Sequence, residues 1–212
     1  MGLSTSLATV IPQFIVLVLS LSFHEAAHAW TANRLGDPTA RLLGRLTLNP
    51  LAHIDWIGTV AFPLIAMLSG APLIGWAKPV PVNMQNLREP RRDFAIVAIA
   101  GPVSNLILAG GGAILLRLLS PLIPESAGWG AEAINLLFQV VLLNTLLAVF
   151  NMIPVPPLDG GNVLMGVVPE RVALAIGWLR PYGFLILYVL MFSGTLSRVI
   201  FPLQQLVLQW LL

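Results

Sequence analysis

The sequence predicts an all-α polytopic membrane protein, with about five membrane-spanning helices and a re-entrant segment of helix and β-ribbon at residues 56–90. Two observations support this fold class. Of 212 residues, 57% are hydrophobic and only 9% are charged, whereas soluble domains have roughly 25% charged residues. The apolar residues also gather into stretches of about 20, the length that a helix needs to cross the hydrocarbon core of a bilayer.

Composition also bounds the domain organisation and the partners. The length allows one membrane-embedded domain over residues 1–212, with a core at 8–165 and a C-terminal helical hairpin at 172–212. The lipid bilayer is therefore a predicted partner, and the net charge of +2 gives no sign of nucleic-acid binding. Because the chain has no cysteine, any metal must be held by His, Asp, Glu or water.

Local signals define each element along the chain. Residues 8–33 form a first apolar helix, which the glycine and proline of Gly36-Asp37-Pro38 end. The stretch 56–75 is interrupted by glycine and proline, and 76–83 alternates around two prolines, as is typical of an edge strand or irregular ribbon. The remaining apolar stretches predict two long helices and a hairpin, at 93–119, 131–150, 172–191 and 194–212.

The first helix contains His24-Glu25-Ala26-Ala27-His28, after fifteen residues without a charge. Two histidines four apart project from one face of a helix, about one turn apart. This spacing suits two imidazole ligands on one Zn²⁺, with the glutamate placed to take the proton of a water molecule. Ionisable residues in an apolar helix are costly and are candidates for function. The motif therefore predicts one zinc ion per chain, with His24 and His28 as ligands and Glu25 as general base.

A third ligand is predicted from the proline-rich stretch Asn151-Met152-Ile153-Pro154-Val155-Pro156-Pro157-Leu158-Asp159-Gly160-Gly161. Irregular backbone near a membrane is tolerated only where it is buried in protein or lines an aqueous cavity. Asp159 is the only carboxylate between Glu132 and Glu170, and its oxygen would complete a His₂-carboxylate zinc set. Gly160 and Gly161 permit positive φ, so we expect the chain to turn back there towards another helix.

Arginine placement predicts the topology. Arg34, Arg41 and Arg45 follow the first helix, which puts its end in the cytoplasm and the two histidines about 9–15 Å inside the membrane. Asp159 must lie on the same side, which requires that 56–75 does not cross the membrane. Arg91 and Arg92 also indicate the cytoplasm before the next helix. We therefore predict an integral protein of the bacterial cell membrane, whose site faces the cytoplasm.

Three motifs, in this order, resemble those of the site-2 protease family of intramembrane metalloproteases. They are His24-Glu25-Ala26-Ala27-His28, Ala100-Gly101-Pro102-Val103-Ser104-Asn105, and residues 151–161 around Leu158-Asp159-Gly160. The stretch 75–83 looks like that of a small bacterial branch without PDZ or CBS domains. Together the motifs span roughly residues 15–165, which is the catalytic core.

The resemblance implies a zinc endopeptidase that takes part in regulated intramembrane proteolysis and cuts the transmembrane segments of other proteins. It implies His24, His28 and Asp159 as ligands and Glu25 as general base. It also implies that Asn105 helps to position substrate or stabilise the oxyanion, and that the segment after residue 75 holds substrate as an added strand. The substrate-binding residues predicted on this basis are Trp76, Lys78, Pro79, Val80, Pro81 and Asn151.

Several alternatives remain open from the residues alone. The chain could be a divalent-metal transporter, since intramembrane His and Asp also serve ion pathways, or a non-catalytic scaffold. The histidines could serve only as interhelical hydrogen-bonding residues, and Asp159 could only cap a turn. A structural interhelical bond is a serious alternative for Asn105, and the 76–81 segment could only anchor the membrane surface. Asn144 and Asn151 are interpreted as structural, and His53 as a loop residue bonded to Asp55.

Overall fold

The computed structural model describes residues 7–69, 76–123 and 128–212, and nine α-helices occur within these ranges. No β-strand is present in the same ranges. The helices are α1 Leu7–Arg34, α2 Thr39–Leu42, α3 Phe62–Ser69, α4 Pro90–Leu119, α5 Gly128–Asn151, α6 Asp159–Val167, α7 Glu170–Gly177, α8 Gly183–Phe192 and α9 Thr195–Leu211.

The predicted all-α polytopic membrane fold is confirmed. In the described part of the chain, four helical segments are long and apolar enough to cross a membrane, at Val10–Arg34, Pro90–Leu119, Trp129–Asn151 and Glu170–Phe192. Helix α9, with 17 residues, is about 26 Å long and falls slightly short of a core about 30 Å thick. The count of five spans therefore stays a prediction, as does the division into core and hairpin.

Helix α4 is the centre of the bundle and packs against α1, α5 and α6. Its buried face consists mainly of small residues, including Ala98, Gly101, Ala109, Gly112 and Ala113. Small side chains let helix backbones approach closely in lipid, where apolar burial gives little driving force between helices. The close packing of α4 brings α1 and α6 within reach of each other.

The face of α1 that points away from α4 is apolar and exposed. Ile11, Ile15 and Leu19 recur every four residues there, and about half of each side chain is exposed, at 54%, 51% and 46%. A helix with apolar residues on both its buried and its exposed face belongs in lipid. The protein is therefore embedded in the bilayer, with these side chains in contact with lipid.

The predicted re-entrant region, 56–90, begins with two short helical pieces. A π-helical turn, Trp56–Ala61, continues into α3. The side chain of Asp55 caps this turn by accepting the N–H groups of Ile57 and Gly58. With six and eight residues, the two pieces together extend at most about 21 Å. Residues 70–75, which belong to the same prediction, lie outside the described residues.

Residues 76–83, here called the strap, have no regular secondary structure, so the predicted edge strand is not formed there. The backbone of the strap is held by single contacts from several elements. Trp76 N–H donates to the Gly58 carbonyl, and Lys78 N–H donates to the His53 carbonyl. Pro79 and Pro81 have no N–H, so the strap cannot form a regular ladder with a neighbouring strand.

Two buried charged side chains fix the strap from the side of α2. The guanidinium of Arg45 is buried, and its Nη2 donates to the carbonyls of Lys78 at 2.6 Å and Pro79 at 3.4 Å. Asp37 Oδ2 accepts the N–H of Asn83 at 2.7 Å. The strap is therefore held in place by the residues on either side of α2.

Candidate metal centre

Three predicted ligands meet at one point. His24 and His28 lie one turn apart on the buried face of α1, and Asp159 is the first residue of α6. His24 Nε2 lies 3.0 Å from Asp159 Oδ2, and His28 Nε2 lies 3.4 Å from Asp159 Oδ1. The two Nε2 atoms are 3.0 Å apart. Within the described residues these are the only His, Cys, Asp or Glu side chains that form a group able to hold a metal ion.

The spacing of these atoms fits a zinc ion. Two ligand atoms about 2.1 Å from a tetrahedral zinc ion lie about 3.4 Å apart. The three separations in the structure are 3.0 to 3.4 Å, and the two that involve Asp159 end on its two different oxygens. Asp159 Oδ2 is buried and accepts no hydrogen bond in the described part of the chain, and the nitrogen 3.0 Å away, His24 Nε2, has no hydrogen to donate when the ring hydrogen is on Nδ1. A buried carboxylate oxygen without a donor is expensive unless a cation satisfies it. Two imidazoles and one carboxylate also leave a fourth position open, as in catalytic zinc sites.

The far nitrogen of each imidazole is hydrogen-bonded, which turns the Nε2 atoms towards Asp159. His28 Nδ1 donates to the backbone carbonyl of Val97 at 2.7 Å. His24 Nδ1 lies 2.7 Å from Asn105 Oδ1. Metal-binding histidines usually donate the other ring N–H in this way, which fixes the tautomer and the ring orientation.

Gly101 on α4 makes room for the two imidazoles. A Cβ at this position would lie 2.4 Å from His28 Nε2 and 2.5 Å from His24 Nε2. Both distances are far below any ordinary contact, so a side chain here would occupy the metal centre. The close approach of α1 and α4 therefore depends on glycine at residue 101.

The loop between α5 and α6 delivers Asp159 to the histidines. Helix α5 ends at Asn151, and the prolines that follow keep the chain irregular until α6 begins. Gly160 and Gly161, which permit positive φ, do not use it, because both belong to the first turn of α6. They are required for close packing instead. A Cβ at Gly160 would lie 2.3 Å from the Met152 carbonyl oxygen, and one at Gly161 would lie 2.5 Å from Pro156 N.

Glu25 lies beside the ligands and is held by the strap. Its side chain is buried, and Oε2 accepts the N–H of Val80 at 2.8 Å. Because Pro79 and Pro81 have no N–H, Val80 is the only backbone donor between Lys78 and Val82. The single N–H in this part of the strap therefore goes to the predicted general base.

A cavity of about 670 Å³ opens onto the three ligands and Glu25. Its remaining wall is mostly apolar and comes from α4, α5, α8, α9 and the strap. Of the predicted substrate-binding residues, Trp76, Pro79, Val80 and Asn151 line this cavity, whereas Lys78 and Pro81 do not. Asn151 also donates its side-chain amide to the Leu147 carbonyl at 3.0 Å.

Asn105 is fully buried and does not line the cavity. Its Oδ1 faces His24, and its Nδ2 donates to Asn144 Oδ1 at 2.8 Å. This geometry favours the interhelical hydrogen-bonding alternative over contact with an oxyanion. Such bonds contribute on average only about 0.6 kcal/mol between membrane helices, so orientation of His24 is the larger consequence. The contact was not predicted, because sequence spacing does not reveal which side chains of two helices meet.

His53 lies outside the metal group found among the described residues, and its predicted hydrogen bond to Asp55 is not made. Its Nε2 lies 2.8 Å from the Thr47 carbonyl oxygen. Asp55 is instead used as the cap of the π-helical turn. The backbone N–H groups at the start of that turn need an acceptor, so they compete successfully for the carboxylate.

Comparison with known proteins identifies the family. The model of the family described as "Peptidase family M50" matches residues 121–190, which contain Asp159. The protein named "Putative zinc metalloprotease YwhC" of Bacillus subtilis is 39% identical over 190 residues, covering 89% of this chain and 84% of that protein. "Putative zinc metalloprotease Rip2" of Mycolicibacterium smegmatis is 34% identical, covering 88% and 68%. "Zinc metalloprotease MJ0392" of Methanocaldococcus jannaschii is 26% identical, covering 74% and 34%.

No solved structure matches the chain. The similarity to the first of these relatives extends over most of both chains, and the metal group found in the fold is of the kind that zinc proteases use. The predicted resemblance and the zinc cofactor are thereby confirmed. The chain belongs to peptidase family M50, the site-2 protease family, and is a zinc metalloprotease embedded in the membrane.

Proposed function

We propose that this metalloprotease is an intramembrane endopeptidase, which hydrolyses peptide bonds in or near the transmembrane segments of other membrane proteins. The observation that carries the proposal is the position of the site. His24, Glu25 and His28 lie inside an apolar helix long enough to span the bilayer. A site at this position acts on substrate that is itself in the membrane, and its apolar cavity suits apolar side chains.

The chemistry assigns a role to each residue at the site. His24, His28 and Asp159 would hold the zinc ion, whose chemistry would be to lower the pKa of a water molecule towards about 7 and to polarise the scissile carbonyl. Glu25 takes the proton of the attacking water and delivers it to the leaving amine. The Val80 N–H on Oε2 holds this carboxylate in one orientation and leaves Oε1 for the proton.

The strap is proposed as the surface that holds the unwound substrate. Peptide bonds in a helix are protected by their hydrogen bonds, so a substrate helix must open before cleavage. An extended substrate alongside the strap would regain some of those bonds at single backbone groups, since Pro79 and Pro81 prevent a regular ladder. The position of Trp76, Pro79 and Val80 on the cavity wall supports this proposal. Lys78, Pro81 and Asn151 complete the proposed substrate-binding set.

The location of the cut tests the function. The purified chain would be reconstituted in liposomes with single-span reporter proteins. Their transmembrane segments would be leucine-rich helices that contain Asn-Gly, a pair that makes the helix easier to open. The products would be mapped by mass spectrometry. We expect new termini within or next to the membrane segment. These products should disappear after zinc is stripped with a chelator and return when zinc is added. Cleavage confined to the soluble parts of the reporters would contradict the intramembrane proposal.

We also propose that the protein resides in the bacterial cell membrane with its site open to the cytoplasm. The arginines at 34, 41, 45, 88, 91 and 92 support this orientation. The short helical extent of Trp56–Ser69 supports a segment that returns to the side it entered from.

Single cysteines test this topology against a clean background, because the chain has none of its own. Leu42→Cys and Arg88→Cys should react from the cytoplasmic side with a membrane-impermeant maleimide in vesicles. Leu122→Cys, at an exposed position between α4 and α5, should react only from the other side. Labelling of residue 88 from the side opposite to residue 42 would show that 56–75 crosses the membrane and would contradict the proposal.

A further inference from the structure

A row of buried polar side chains connects His24 to α5. His24 Nδ1 lies 2.7 Å from Asn105 Oδ1 on α4, and Asn105 Nδ2 lies 2.8 Å from Asn144 Oδ1 on α5. Asn144 Nδ2 in turn lies 2.9 Å from both Ser20 Oγ and the backbone oxygen of Val140. Asn105 and Asn144 have no exposed surface. The three core helices therefore share one hydrogen-bonded path that ends on an imidazole.

The donor-to-acceptor direction of the hydrogen bonds along this path is fixed at the end that lies on α5. A side-chain amide offers a donor at one end and an acceptor at the other, and which end points where follows from its partners. The backbone oxygen of Val140 can only accept, so the NH₂ of Asn144 must face it. Asn144 Oδ1 then faces Asn105, which must present its own NH₂ in return.

The same reasoning continues to the imidazole. With its NH₂ directed at Asn144, Asn105 presents Oδ1 to His24, and that oxygen can only accept. His24 Nδ1 must therefore carry the hydrogen, and the lone pair of the neutral ring lies on Nε2. This is the nitrogen that faces Asp159 at 3.0 Å. The tautomer of His24 that a metal requires is thus favoured by Asn144, which the Val140 carbonyl of α5 orients. The Ser20 carbonyl oxygen, 3.4 Å from Asn105 Nδ2, is a longer second acceptor for the same amide.

His28 makes the contrast clear. Its Nδ1 donates directly to the backbone carbonyl of Val97, so no side chain intervenes. Only His24 is held through two side-chain amides in series, those of Asn105 and Asn144. Neither Asn105 nor Asn144 lines the cavity, so Asn144 can reach the metal centre only by acting through Asn105.

We propose that Asn144 is a positioning residue for the metal centre, which orients the Asn105 amide so that it holds His24 with Nε2 available to bind zinc. The inference rests on the proposed ligand set and adds a residue to it on a third helix. A histidine whose far nitrogen loses its partner typically binds metal about 10–100-fold more weakly.

Zinc affinity of the full chain in detergent, measured by competition with a chelator, tests the proposal. Asn144→Leu should weaken zinc binding by about 10-fold or more. The matched control is Thr145→Val. Thr145 is the next residue of α5 and is equally buried, but its hydroxyl bonds the carbonyls of Val141 and Leu142 and not the His24 path. The control should keep the affinity of the unaltered chain.

A double-variant cycle shows whether Asn144 acts through Asn105. Asn105→Leu should weaken zinc binding at least as much as Asn144→Leu, and combining the two should add little, because the path is already broken. Asn144→Asp, whose protonated carboxyl keeps a donor facing Val140 and an oxygen facing Asn105, should retain more affinity than Asn144→Leu. It also provides a second measurement if the leucine variant fails to fold.

Three outcomes would overturn the proposal: unchanged zinc affinity in Asn144→Leu, equal losses in Asn144→Leu and Thr145→Val, or fully additive losses in the double variant. None of these depends on proteolysis. If the unaltered chain bound zinc but cut no reporter, the proposed function would fail while this series would still give its own answer.

Discussion

Replacing Glu25 with Gln should lower the turnover of a transmembrane reporter by about 10²–10⁴-fold, the usual contribution of a general acid or base, while zinc remains bound. The amide cannot take a proton from water. Its oxygen can still accept the Val80 N–H, which Glu25 now accepts at 2.8 Å, so the strap should keep its position. Initial rates in liposomes and metal analysis of the purified variant measure the two effects separately.

Glu89→Gln is the matched control for this experiment. Glu89 is an exposed carboxylate that pairs with Arg92 on the surface at 3.1 Å, away from the cavity. Its replacement should leave both turnover and zinc content unchanged. If Glu25→Gln cut the reporter at a rate close to that of the unaltered chain, Glu25 would not be the general base. If the variant lost its zinc as well, the role of Glu25 would be structural.

Gly101→Ala should abolish zinc binding and, with it, proteolysis. The added Cβ would lie 2.4 Å and 2.5 Å from the Nε2 atoms of His28 and His24, so both imidazoles would have to move away from Asp159. The rings have little freedom to do so, because their Nδ1 atoms are bound to Val97 and Asn105. Zinc content per chain, measured by mass spectrometry of the purified protein, should fall to near zero.

Gly110→Ala provides the control for a methyl group added to the same helix. A Cβ there meets nothing within 4 Å, and alanine is the better helix former by about 1 kcal/mol. This variant should bind zinc normally and be at least as stable to heating. A full complement of zinc in Gly101→Ala would contradict the geometry assigned to the centre, provided that the melting temperature shows the variant to be folded.

The long helices were predictable because each one carries its own signal. The first was predicted at 8–33 and is observed at Leu7–Arg34, and the helix predicted at 93–119 is observed at Pro90–Leu119. Runs of apolar residues bounded by Gly, Pro and Arg are sufficient for this, since lipid requires a helix to satisfy its own backbone. The predicted final hairpin is interrupted by the 3₁₀ turn Arg180–Tyr182 around Pro181, a break that hydrophobicity alone does not show.

The meeting of the ligands was predictable from spacing and topology together. The four-residue interval places His24 and His28 on one face, and the orientation of the helices brings Asp159 to them. The partners that hold the imidazoles were not predictable in the same way. Whether Asn105 faces a histidine or a substrate depends on the rotation of α4 about its axis. That rotation is set by how the small residues of α4 pack against its neighbours.

The strap and the general base form a single mechanical unit. Val80 gives its N–H to Glu25 from between two prolines, and Arg45 clamps the carbonyls of Lys78 and Pro79 just before it. A shift of the strap by about 1 Å would stretch the bond to Glu25 beyond the usual N···O range. The orientation of Glu25 thus depends on Arg45, twenty residues away in sequence. Any movement of the strap would also change the position of Glu25 and slow proton transfer.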